Sequence, residues 1–355
     1  QMNLFKDMVC YQEEVRDPSR MAEVLNRVIE KAFRGSAPAQ INVPRDYWTQ
    51  VIDIELPPIV RFERQGGGKE AIESAAKLLS KAKFPVILSG AGVVLGGAID
   101  ECKQLAEKLD APVCNGYQHN DSFPGSHPLA VGPLGYNGSK AAMELISKAD
   151  VVLALGTRLN PFSTLPGYGI DYWPKQATII QVDINPDRIG LTKKVSVGIC
   201  GDSKQVAQQI LDKLSSDAGN TSREDRKNLI HKTKSAWLQT LSGLDHEEDD
   251  PGTVWNKEAR ERDKDRMSPR QAWRAIQDAL PQDAIISSDI GNNCAIGNAY
   301  PTFEKPRKYL APGLFGPCGY GFPAILGAKI GCPKTPVVGF AGDGAFGISM
   351  NEMSS

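Results

Sequence analysis

A single carboxylate set between glycines, Gly342-Asp343-Gly344, follows a short apolar run at 336–340 and precedes Ala345. The flanking glycines let the backbone turn sharply and approach a ligand closely. The strand before them fixes the Asp at its carboxyl end, the edge at which open α/β sheets bind ligands. A lone carboxylate repels a phosphate, but it can hold Mg²⁺, which one or two carboxylates bind together with phosphate oxygens. The same residues also read as an ordinary strand-to-loop turn with Asp343 capping a helix. A second glycine-dense turn, 313–321, lies about twenty residues upstream, with an apolar helical segment at 322–330 between the two. A third turn, Asp289-Ile290-Gly291-Asn292-Asn293, closes a strand predicted at 284–288. In a parallel sheet the three turns meet at one edge. Backbone N–H groups and asparagine amides there suit phosphate oxygens, with Asp343 as the metal's carboxylate.

Other polar residues carry weaker signals. Gly90-Ala-Gly-Val-Val-Leu-Gly-Gly97 follows a strand at 85–89 and precedes a helix at 99–109, a dinucleotide fingerprint with one extra residue before its third glycine. It reads either as a nucleotide site or as a Rossmann-like turn that binds nothing. Arg158 and Asp183 fall at strand ends, where ligand contacts and fold-stabilising contacts are equally served. His119 and His127 flank a Gly/Pro-rich loop and read as surface residues, and the four histidines form no H-E-x-x-H zinc pattern. Glu13 and Glu14 read as a solvated face.

Positioning these residues requires alternating strands and helices. The first 50 residues close with a helix at 18–34, carrying one apolar stripe (Met21, Val24, Leu25, Val28, Ile29, Phe33), and a strand at 39–44. Residues 51–68, with Pro57-Pro58 and Gly66-Gly67-Gly68, form a linker. From 69 to 215 a helix (70–81) and strands at 85–89, 111–115, 150–155 and 178–183 precede a closing helix at 203–214. That rhythm implies right-handed crossovers and a doubly wound parallel sheet. Residues 216–266 are charge-dense, notably 245–250 and 257–266, and read as a solvated connection with one helix at 223–241. From 267 to 355 Ser268 caps and Pro269 opens a helix to 280, followed by the strands and turns above. The fold class is therefore α/β, with a Rossmann-like central domain between two partial domains.

Composition limits the functions available. At 355 residues, 41% hydrophobic and 23% charged, with net charge -1, the chain is an ordinary globular one, with no electrostatic case for nucleic acid or anionic membrane. No apolar run reaches a membrane span. Seven scattered cysteines (Cys10, Cys102, Cys114, Cys200, Cys294, Cys318, Cys332) form no C-x-x-C pair, the pattern of reduced thiols in a cytoplasmic protein. The opening residues are amphipathic without a signal-peptide pattern, and 348–353 read as the first turns of a helix, so a piece of a longer protein is expected.

The Gly-Asp-Gly turn, the Asp289–Asn293 turn and Gly316-Pro317-Cys318-Gly-Tyr-Gly321 together resemble the thiamine-diphosphate enzymes of the acetohydroxyacid synthase and pyruvate oxidase group. The resemblance implies the end of a pyrimidine-binding domain (1–50), a whole Rossmann-like domain (69–215) and the first half of a diphosphate-binding domain (267–355). It implies thiamine diphosphate and Mg²⁺ as cofactors. Asp343 would ligate the metal, and Ile290, Gly291, Asn292, Asn293, Gly316, Pro317, Cys318, Gly342, Gly344 and Ala345 would hold the cofactor. Cys318 stands where that family often has Met, a smaller wedge beneath the cofactor. The activating glutamate would lie upstream of Gln1, and the asparagines that finish the diphosphate signature lie beyond the chain. The stretches Ile41-Asn-Val-Pro-Arg-Asp-Tyr-Trp48, 156–166, 168–174 and 313–321 resemble the branch that cleaves sulfoacetaldehyde and passes the acetyl group to phosphate. The alternatives are a pyruvate-using synthase, often with bound FAD, and a non-catalytic module binding ADP or a related nucleotide. The resemblance also implies a homodimer or homotetramer, in which the fragment alone is inactive.

Overall fold

The computed structural model describes residues 1–58, 63–245, 266–313 and 315–354. These fall into two compact units, 1–64 and 65–355.

In the first unit a short helix α1 (Met2–Phe5) precedes strand β1 (Tyr11–Glu14), helix α2 (Met21–Gly35) and strand β2 (Ala39–Asn42), with β1 and β2 paired in parallel. Val24 and Val28 of α2 pack on Val15 to form the core. The single apolar stripe predicted for this helix is split: Leu25, Ile29 and Phe33 of the same stripe are exposed. Glu13 is not on a solvated face but is clamped by Arg27 at 2.7 and 2.8 Å, and the guanidinium holds its carboxyl down at about 2. Glu14 accepts from Asn42 at 2.8 Å.

The larger unit begins with α3 (Lys69–Lys81) and a six-stranded parallel sheet. Its strands are β3 (Pro85–Ser89), β4 (Val113–Asn115), β5 (Ala130–Pro133), β6 (Val151–Leu155), β7 (Thr178–Asp183) and β8 (Val197–Cys200), in the order β5-β4-β3-β6-β7-β8. Counted within the sheet this is 3-2-1-4-5-6, the doubly wound order whose switch point lies between β3 and β6. Every residue of β3 and β6 is buried, which explains their unbroken apolar runs: both faces are covered by helices. The covering helices include α4 (Ala91–Gly96), α5 (Ile99–Leu109), α6 (Lys140–Ile146) and α7 (Ser203–Lys213). Asp202 caps α7 through the N–H groups of Lys204 and Gln205.

Helix α8 (Arg223–Asp245) is docked on this layer rather than wholly solvated. Arg226, 1% exposed, donates to the carbonyls of Lys83, Leu109, Asp110, Gly219 and Thr221 at 2.6–3.0 Å. Of the two charge-dense stretches read from the sequence, 246–250 and 257–265 lie outside the described residues. His119 and His127 are not surface residues. Burial, reinforced by Arg158, pushes the His119 imidazole down to about 4, and His127 packs edge-on to Phe123 while pairing with Glu107 at 3.2 Å.

The last region has three parallel strands in the order β10-β9-β11: β9 (Ile285–Ser288), β10 (Tyr309–Leu310) and β11 (Val337–Phe340). Helix α9 (Pro269–Ala279) opens with a capping box between Ser268 and Gln271, and its Trp273 packs tilted against Phe340 with centroids 4.3 Å apart. Helices α10 (Asn292–Ala299), α11 (Gly321–Gly331) and α12 (Asp343–Ser349) each start at a carboxyl end of this sheet or lead back into it. Among the described residues no helix is long and apolar enough to cross a membrane.

Candidate functional site

Because β9 and β11 are adjacent and parallel, the turns that follow them emerge at the same edge. The turn after β9 holds Gly291 at φ +93, a conformation costly for any residue with a Cβ, and passes at once into α10 through Asn292 and Asn293. The turn after β11 passes into α12 at Asp343, with Gly342 as its N-cap. Neither helix start is capped by a side chain, so first-turn N–H groups face outward without a protein acceptor of that kind. A Cβ built on Gly342 would lie 3.8 Å from Asn293 Nδ2, which brings the two turns side by side. Built on Gly291, Gly313 or Gly344 it would meet nothing within 4 Å. The space between these backbones is open, and Asp343 is exposed beside it.

The third turn is locked to the first by a residue that the sequence reading left out of the site. Asp289, 0% exposed, directly follows β9, and its carboxylate accepts from Ile290 N (2.8 Å), Gly319 N (3.1 Å) and Gly321 N (2.6 Å). Three N–H groups that would suit a phosphate are therefore already engaged, and the Ile290 N–H is one of them. The contribution of Ile290 is its side chain: a Cβ on Gly316 (φ +63) would lie 3.1 Å from its Cδ1. Gly319 (φ +86) approaches Ile348 of α12 in the same way, at 2.8 Å. Pro317 and Cys318 sit between these two glycines, with Cys318 exposed, and Ala345 is a buried residue of the first turn of α12. In sequence, Asp289 could be recognised only as a carboxylate directly following a strand and preceding a glycine. That pattern does not separate a clamp from a ligand.

The geometry fits a diphosphate with one divalent cation: two uncapped helix starts, asparagine amides, glycines that leave room, and one exposed carboxylate. Among the described residues no group of three or more His, Cys, Asp and Glu side chains surrounds Asp343, so phosphate oxygens and further ligands would have to complete a magnesium shell.

The other glycine turn behaves differently. At the switch point, Gly90 N donates to Leu155 O and Gly92 N to Gly156 O, at 3.1 and 2.8 Å. A Cβ on Gly90 would lie 2.6 Å from Gly156 O, and one on Gly92 would lie 2.6 Å from Gly156 Cα and 2.9 Å from Ser203 Oγ. These glycines let two loops and the start of α7 touch, and they do not fit a nucleotide phosphate. Arg158, half-buried, has its pKa lowered by desolvation and by Arg188, against the pull of Asp183. Asp183 itself accepts from Asn185 N at 2.9 Å, closing its own turn.

Comparison with known proteins agrees with the fold and with this location. Residues 72–210 match the thiamine pyrophosphate enzyme central domain, and 289–355 match the C-terminal TPP binding domain of the same enzymes. The chain is 79% identical, over its whole length, to a "Probable sulfoacetaldehyde acetyltransferase" of Rhizobium meliloti (strain 1021), of which it covers 60%. It is 77% identical over its whole length to a "Sulfoacetaldehyde acetyltransferase" of Roseovarius nubinhibens, covering 59% of that protein. A "Probable acetolactate synthase large subunit" of Methanocaldococcus jannaschii is 30% identical, with all of this chain and 58% of that protein aligned. The chain thus spans about three fifths of the length of these relatives.

Proposed function

The chain belongs to the thiamine pyrophosphate enzymes, and from that premise we propose that the whole protein is a sulfoacetaldehyde acetyltransferase. It would convert sulfoacetaldehyde and phosphate to sulfite and acetyl phosphate, a step in the breakdown of sulfonates such as taurine. The substrate assignment is supported by the likeness of the full chain to proteins of that name, against a much lower identity to acetolactate synthases. The cofactor site is supported by the open edge between Gly291, Gly342 and Gly344.

Bound thiamine diphosphate would supply the nucleophilic carbon and the electron sink. The chain's own residues would bind and orient it. N–H groups at the start of α10, with Asn292 and Asn293, would take diphosphate oxygens, and Asp343 would hold Mg²⁺ against them, as Gly342 and Gly344 let both approach. Gly316, Pro317 and Cys318 would form one wall and Ala345 its floor. The closed packing at Gly90 and Gly92 argues against FAD or ADP on that turn. The domain division read from the sequence (1–50, 69–215 and 267–355, joined by 51–68 and 216–266) is kept as part of this reading. So are a homodimer or homotetramer and a cytoplasmic location, the latter in keeping with seven free thiols.

The test uses the full-length protein with thiamine diphosphate, Mg²⁺, phosphate and sulfoacetaldehyde. Sulfite and acetyl phosphate should form in equal amounts, and Asp343→Ala should abolish both. Acetolactate from pyruvate, without sulfite release, would replace the acetyltransferase by the synthase.

A further inference from the structure

Helix α10 is gripped from behind by the Rossmann-like part of the chain. The loop after β4 runs along 294–309: Asn120 Nδ2 donates to the carbonyls of Asn298 and Pro301, both at 2.9 Å, and Asp121 accepts from Lys308 N at 3.0 Å. At the front of this loop Gln118 is 3% exposed, and its N–H donates to Asn298 Oδ1 at 2.8 Å. Its side-chain Nε2 contacts Cys294 Sγ, and the Tyr117 hydroxyl lies 3.0 Å from the same sulfur. Cys294 is the third residue of α10, immediately after Asn292 and Asn293.

Two features of Gln118 oppose stability. Its φ is +61, a left-handed backbone that glycine or asparagine adopts more readily. Its Oε1 is buried without a hydrogen-bond partner. Unfavourable conformations of this kind persist where surrounding structure imposes them, and they gather at functional sites. What the side chain gains in return is its hold on Cys294.

We propose that Gln118 is a positioning residue for the cofactor's diphosphate. Together with Tyr117 it fixes Cys294 and thereby sets the first turn of α10, which presents Asn292 and Asn293. A residue of the central domain thus adjusts a site built by another part of the chain. The proposal rests on the thiamine-diphosphate reading above.

The experiment measures thiamine-diphosphate affinity with Mg²⁺ by calorimetry on the full-length protein, beside the melting temperature of the cofactor-free form. Gln118→Gly removes the backbone strain and the orphaned oxygen, so the melting temperature should stay within about 2 °C of the parent or rise. The dissociation constant should weaken by about tenfold, as when supporting contacts behind a ligand shell are lost. Activity at saturating cofactor should change less, so the loss falls on KM for the cofactor. Gln118→Asn keeps a residue tolerant of the left-handed backbone but is too short to reach Cys294, and should show the same split. Cofactor affinity equal to the parent in both variants would overturn the proposal, as would a loss of affinity that only tracks a falling melting temperature. A parent protein that folds but binds no thiamine diphosphate would overturn the underlying reading along with it.

Discussion

Two strand-glycine-helix turns in one chain use the same residue in opposite ways. After β3, Gly90 and Gly92 let backbone meet backbone, with every added Cβ colliding at 2.6 Å. After β11, Gly342 and Gly344 flank an exposed aspartate, and an added Cβ meets a single amide nitrogen at 3.8 Å or nothing at all. A glycine-rich turn at a strand's carboxyl end is therefore only a permission for close approach. Whether protein or ligand makes that approach depends on what stands opposite, and what stands opposite differs here, backbone at one turn and open space at the other. The first turn closes a sheet buried on both faces, whereas the second edges a strand, β11, that is only partly covered.

Substitutions can break that comparison. Gly92→Ala should have the largest effect, because backbone at Gly156 cannot step aside as a flexible side chain would. A loss of about 3 kcal/mol is expected in urea unfolding, the upper part of the range for overpacking, and a tolerated alanine would show that the turn has slack. Asp289→Ala comes next: three N–H groups lose a buried acceptor. At least about 2 kcal/mol should be lost, and thiamine diphosphate should bind more weakly because 313–321 is no longer tied to β9. Unchanged affinity would separate the two loops functionally.

Acid should act on the central sheet through His119. Its imidazole is held neutral in the folded protein down to about 4, against an ordinary 6.5. The unfolded chain therefore takes up the proton first. Stability contributed by the neutral ring is complete above 6.5 and is lost as pH falls from there toward 4, at a slope of at most about 1.4 kcal/mol per pH unit. His119→Asn should flatten that part of the stability profile, and an unchanged slope would assign it elsewhere. Gly344→Ala should be the mildest change. With open space around it and a helical position, it should stabilise the fold by about 0.5–1 kcal/mol, while weakening cofactor binding. Destabilisation instead would make both turns packing turns.

Much of this was legible in the sequence because the signals were local. Strands 85–89 and 178–183 and helix 99–109 appear with the bounds that periodicity implies, and Ser268 begins its helix with the capping box its neighbours allow. The convergence of three turns followed from parallel pairing alone. Other elements were hidden by composition. Ala130–Pro133 contains a glycine at φ +91 and a proline yet lies in the sheet, and Ala91–Gly96 is helical despite two glycines, at 92 and 96, since its surroundings rather than its propensity decide. The grip of Gln118 on Cys294 joins residues 176 positions apart, and no short-range pattern announces it.

Arg226 carries a practical consequence for anyone dividing this chain. All five of its N–H donors end on backbone carbonyls outside α8, three of them on the preceding layer at 83, 109 and 110 and two on the approach to the helix at 219 and 221. A Rossmann-like piece cut after Lys213 would lose Arg226 and leave the carbonyls of Lys83, Leu109 and Asp110 without their donor, and should be recovered as aggregate. The same piece carried through Asp245 keeps its own stopper and should be recovered soluble. A lysine at 226, with three donors, would be an incomplete seal.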